Sequence, residues 1–125
     1  MNRVDLVKYI GKDYDKYNCF DLIKDFYMDH YNISLSNYFE GGPVPERNKV
    51  ASLILSNKGD FVEESIPVFG DIVVIRLYGI ECHVGVVVND GMFLHSTRGV
   101  GSNMEKLSKY KRMIAGYYRH RGNHG

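Results

Sequence analysis

The hydrophobic period changes once along this chain, and that change restricts the fold more than any single residue does. Leu22, Ile23, Phe26 and Tyr27 recur at helical spacing and predict a helix from Cys19 to about Tyr31. Beyond residue 70 the periodicity becomes that of strands, predicted at Asp71–Leu77, Cys82–Val88, Met92–Ser96 and near Met113–Arg119. Helices first and strands afterwards imply the α+β class, with N-terminal helices packed on an antiparallel β-meander.

Local signals place the boundaries. Asn18 is a good N-cap, and Asp21, three residues on, completes a capping-box-like pair. A shorter amphipathic helix is expected over residues 3–10, with Val4, Leu6, Val7 and Ile10 apolar and Gly11 ending it. Gly41-Gly42-Pro43-Val44-Pro45 reads as a loop, Glu46 to Ser56 as a helix with Val50, Leu53 and Ile54 inward, and Phe61 to Pro67 as a connector. With no internal repeat, low-complexity tract or linker, residues 1–125 are expected to form one domain.

Composition excludes several function classes. Sixteen basic residues against fifteen acidic ones leave no nucleic-acid footprint. The basic run from Lys106 to Arg121 reads as a solvated face. No apolar run approaches the roughly 20 residues that span a bilayer. The start, Met1-Asn2-Arg3-Val4-Asp5, lacks the apolar core of a secretory signal, so the chain is expected to be made in a cytosol with both cysteines as free thiols.

Of those cysteines, Cys19 opens a helix, where the positive end of the macrodipole and free backbone donors favour thiolate. Its own N–H can also help to bind an oxyanion. Phe20, Leu22 and Ile23 already supply apolar packing, so the helix does not need a cysteine there. Cys82 shares a strand face with Val84, Val86 and Val88 and reads as core filler.

His83 and His95 lie on consecutive strands, and the turn between them settles whether they share a face. A three-residue loop, Asn89-Asp90-Gly91, pairs Val88 with Met92 and Gly85 with His95, and suits Gly91 in the left-handed region. His95 then lies diagonal to His83, about 7 Å away by Cα, with Gly85 leaving room for the second ring. Such a pair can act as a base toward Cys19 and a group that orients it. Zinc held by Cys19, His83 and His95 is the competing chemical reading, but the closely spaced ligand pairs of structural zinc sites are missing. His30 suits the C-terminal end of its helix, while His120 and His124 lie in a polar tail.

In order, Gly11-Lys12-Asp13-Tyr14, Asn18-Cys19, Gly70-Asp71-Ile72-Val73, His83-Val84-Gly85 and Leu94-His95-Ser96 resemble the NlpC-like cell-wall cysteine peptidases of the papain-like superfamily. The resemblance implies a papain-like NlpC-type fold with Cys19 as nucleophile, His83 as base and His95 as the orienting third residue. It also implies a tyrosine hydroxyl near the oxyanion, for which Tyr14 fits best and Tyr17 is the rival. The substrate implied is the stem peptide of peptidoglycan, with no cofactor. The segment Cys19–Tyr27 is similar to the helix of tail-associated bacteriophage members, which implies tail-tip partners, a place in the virion tail after synthesis in the host cytoplasm, and action at the cell wall. Asn18 stands where the family usually has an acid, and Phe20-Asp21 where it has Ser-Gly, so a bulky side chain is expected to narrow the cleft. The alternatives are a non-enzymatic tail plug or assembly component, a cytosolic thiol amidase or acyltransferase on the same scaffold, and a toxin-type effector using Cys19.

Overall fold

The computed structural model describes residues 6–35, 61–77 and 80–121. Side chains are described for all of these except residues 77 and 80–82. The expected helix at 46–56, the 41–45 loop, the start of the 3–10 helix, His124 and the side chain of Cys82 all lie outside the described residues or side chains.

Helix α1 runs Cys19–Tyr31. Its start is fixed by the expected reciprocal cap: Asn18 Oδ1 accepts from the N–H groups of Phe20 and Asp21, at 2.9 and 3.0 Å, and Asp21 Oδ2 accepts from Asn18 N–H. It ends at Asn32, whose left-handed backbone lets its N–H return to Met28 and Tyr27 carbonyls. Leu22, Ile23, Phe26 and Tyr27 are fully buried, as their spacing predicts. Ahead of the helix only one short 3-10 turn, Val7–Tyr9, stands within the described part of the predicted 3–10 helix.

Among the described residues six antiparallel strands follow: β1 Phe61–Glu64, β2 Ile72–Leu77, β3 Ile80–Val87, β4 Met92–Thr97, β5 Gly101–Lys106 and β6 Ile114–His120. They form one sheet in the order β1-β6-β2-β3-β4-β5. The meander therefore runs from β2 to β5, and the last strand returns to pair with β2 and β1. Two strands are additions to the sequence reading. β1 forms where a connector was expected, and β5 forms in a stretch that carries no apolar alternation.

Period-two side chains give the sheet two dry faces. On one, Ile72, Val74, Val84, Val86 and Leu94 pack against α1. On the other, Val73, Ile75, Val87 and Phe93 are covered by a 3-10 segment, Leu107–Met113, through Leu107 and Tyr110.

The Gly70-Asp71 pair has a structural task. Asp71 is fully buried, and Arg119 donates to both of its oxygens, Nε to Oδ1 at 2.9 Å and an Nη to Oδ2 at 3.0 Å. Val68 N–H donates to the same carboxylate, and the Asp71 carbonyl accepts from Val87 N–H. This ties β2, β3 and β6 together; stranding one partner of such a pair costs about 3–5 kcal/mol. Arg119 thus corrects the reading of the basic C-terminal run as wholly solvated: it turns inward because a buried carboxylate needs a charged partner.

Candidate active site

Adjacent residues of β4 do opposite jobs. Ser96 faces α1, and its Oγ donates to the Tyr17 carbonyl at 2.6 Å, which anchors the chain just before Cys19. His95 points to the other face, packed on Phe93 with ring centroids 4.4 Å apart. The alternation of a strand makes both possible in neighbouring positions.

The β3–β4 connection has the three-residue form read from the sequence. Val88 N–H donates to Met92 O, Val86 pairs with Leu94, and Val87 pairs with Phe93. Asp90 and Gly91 both take left-handed backbone conformations, with φ of 62° and 72°. This register brings His83 and His95 into contact, with Nε2 of the first 2.8 Å from Nδ1 of the second. Close approach depends on Gly85, where an added Cβ would lie 2.6 Å from Leu94 O and 3.2 Å from His95 Cβ.

The sequence reading missed the next member. His95 Nε2 lies 2.6 Å from Glu105 Oε1 on β5. The same carboxylate accepts from Tyr110 OH at 2.9 Å and from Lys109 Nζ. Burial would raise the Glu105 carboxyl, but the donors on Lys109, Tyr110 and His95 hold it down at about 2. Asn103 is the residue paired with His95 across β4 and β5, yet its Oδ1 is buried and unbonded within the described structure. The imidazole takes its acceptor diagonally instead.

Burial lowers His83 to about 3, and the facing His95 lowers it further. His95 moves down as well, through burial, against the opposing pull of Glu105. Both rings are therefore neutral at neutral pH. Donor–acceptor matching then fixes their tautomers. Glu105 is an anion and only accepts, so His95 carries its proton on Nε2. Its bare Nδ1 accepts from His83 Nε2–H. The lone pair left over is His83 Nδ1.

Cys19 sits in the core beside Val84, the residue after His83, and is 4% exposed. Here the thiolate expectation needs correction. Burial pushes the thiol up to about 12, outweighing the backbone N–H groups of Val84, Cys19 and Phe20 that favour the anion. A helix terminus contributes less than full desolvation costs. No hydrogen bond joins Cys19 to His83 among the described residues. At the same place β2 and β3 shift register between Ile75 and Arg76, which pair with His83 and Glu81, so β3 carries one extra residue at Cys82.

The two tyrosine candidates separate. Tyr17 OH donates to Asp25 at 2.7 Å. Tyr14 is the one whose phenol senses the thiol: burial and then the charge of Cys19 raise it, while Arg98 lowers it. Arg98, in the β4–β5 turn, stands 5.4 Å from the Tyr14 ring centre. The lead-in that carries Tyr14 is pinned to β5 by Gly11 N–H to Ser102 O, Ser102 N–H to Lys12 O, and Lys12 N–H to Ser102 Oγ. Arg98 was not singled out in the sequence, which offered no signal for it beyond its charge.

Phe20 does not stand in a cleft. It is 3% exposed and belongs to the α1 core. Among the described residues no cluster of three His, Cys, Asp or Glu side chains is placed to hold a metal. The facing nitrogens of His83 and His95 are bonded to each other, not splayed about an ion. His30 stacks on Phe26 with centroids 4.1 Å apart and bonds the Phe26 carbonyl, which is a packing role. No described helix is long and apolar enough to cross a membrane.

Comparison with known proteins bears on this geometry. The sequence model described as the NlpC/P60 family matches residues 7–121. Among solved structures, the chain is similar to the NlpC/p60 domain of the peptidoglycan hydrolase SagA, with TM-score 0.54 and 16% identity over 87% of this chain and 81% of that one. No curated protein matches it.

Proposed function

Since the chain belongs to the NlpC/P60 family, we propose that it is a cysteine peptidase that cleaves amide bonds in the stem peptides of peptidoglycan. One observation carries the reading: Cys19, at the start of α1, packs beside Val84 of β3, the strand neighbour of His83, whose ring heads the bonded row His83–His95–Glu105. The similarity to a peptidoglycan hydrolase supports the substrate class.

The chemistry follows from the proton positions. His83 Nδ1 takes the thiol proton as Cys19 Sγ attacks the amide carbonyl carbon, so a neutral thiol and a neutral imidazole suffice at the start. The tetrahedral oxyanion is held by the Cys19 N–H and the Tyr14 hydroxyl. Collapse expels the amine, which takes its proton from His83. Water, deprotonated by the same nitrogen, then releases the acyl group from sulfur.

The finer reading, a hydrolase carried on or used to assemble a bacteriophage tail, draws on the segment Cys19–Tyr27. A second reading, a non-enzymatic tail component that keeps the fold, draws on the deep burial of Cys19. Mass spectrometry of peptidoglycan fragments incubated with wild type and Cys19→Ala tests the activity. New peptide termini with wild type alone are expected, and they name the bond. Silence from both, together with sluggish alkylation of Cys19, favours the structural component.

A further inference from the structure

We propose that Glu105 is a positioning residue for the His83–His95 pair: its carboxylate sets the tautomer of both rings and so determines which His83 nitrogen is left bare to act as the base. This rests on the peptidase reading of the same site and adds a member to it.

The argument is geometric. His95 is fully buried, and its ring has two polar contacts, one to His83 at 2.8 Å and one to Glu105 at 2.6 Å. Two neutral imidazoles in a row have two proton arrangements. In one, each ring carries its proton on Nε2 and His83 Nδ1 is bare. In the other, each carries it on Nδ1, and His83 has no lone pair to offer the thiol. An anionic acceptor at His95 Nε2 permits only the first. When the thiol proton moves to His83 Nδ1, the positive charge on the ring is stabilised through His95 by the same carboxylate, and no further proton transfer is needed.

Glu105 is itself held. Tyr110, placed by the 3-10 segment Leu107–Met113, donates to Oε1, and Lys109 pairs with Oε2. Only 16% of the Glu105 side chain is exposed. Three donors converge on one partly buried carboxylate. That arrangement costs side-chain entropy, which aiming one imidazole explains.

The test reads the thiol and the rings, not the wall substrate. Iodoacetamide alkylation at the Cys19 peptide is followed by mass spectrometry across pH for wild type, Glu105→Gln and His83→Ala. Glu105→Gln keeps the shape and removes the charge; it is expected to slow alkylation at neutral pH about tenfold and to move the profile upward by about one unit. A Glu105→Gln profile coinciding with wild type, while His83→Ala is slow, overturns the role of Glu105 and leaves the peptidase reading standing. If His83→Ala also matches wild type, both fall. Nitrogen-15 NMR of the wild-type imidazoles is independent of how any variant folds. Both rings neutral and protonated on Nε2 are expected, and His83 protonated on Nδ1 overturns the proposal.

Discussion

His83 Nε2 and His95 Nδ1 lie 2.8 Å apart across two adjoining strands, both rings buried. A contact so short between two neutral imidazoles needs one donor and one acceptor, so the pair is a proton-ordered unit. Three expectations follow from how that unit is built and where it stands.

Gly85 makes room for it. Gly85→Ala would put a methyl group 2.7 Å from Phe93 Cδ2 and closer still to the Leu94 carbonyl, which as backbone cannot move aside. A loss of about 1–3 kcal/mol is expected in urea denaturation, with wall-fragment cleavage falling further than stability explains. Gly91→Ala is the contrast. Its Cβ meets open space and costs only the left-handed backbone, about 1–2 kcal/mol, and it should keep whatever activity the protein has. Equal activity loss in both variants would refute the spacing argument.

Tyr14 and Tyr17 should respond differently to loss of the hydroxyl. Tyr14→Phe removes the hydroxyl proposed to hold the oxyanion and is expected to lower turnover about a hundredfold with the fold intact. Tyr17→Phe removes the bond to Asp25, costing about 1 kcal/mol in stability with little change in turnover. Reversal of the two phenotypes would assign the oxyanion group to Tyr17.

Acid should destabilise the protein in a defined window. The folded His83 titrates at about 3 against an ordinary 6.5, so the unfolded chain binds this proton first. Stability from the neutral ring is complete above 6.5 and drains as pH falls toward 3. Glu105, at about 2 against 4.5, adds a second loss from 4.5 downward. Urea midpoints measured from neutral pH to about pH 4 should decline, and His83→Asn should flatten the upper part of that decline. Midpoints that stay level in wild type would contradict the buried neutral imidazole.

Much of this molecule was legible as sequence because it is local. The cap on α1, its buried stripe and the three-residue turn between β3 and β4 depend on residues a few positions apart, whose sterics and hydrogen bonds act before any long-range packing. Strand alternation then put His83 and His95 on one face. What the tertiary structure decided came from long-range contacts. β5 carries Gly101 and Ser102 as its buried residues, so it gives no hydrophobic signal, and Glu105 reaches His95 only by a diagonal register with β4. The separation of Tyr14 from Tyr17 depends on a lead-in bonded to Ser102, ninety positions along the chain from Lys12. The thiol of Cys19 went against its local cue for the same reason: a helix start favours the anion by position in sequence, whereas desolvation is set by everything that packs around it.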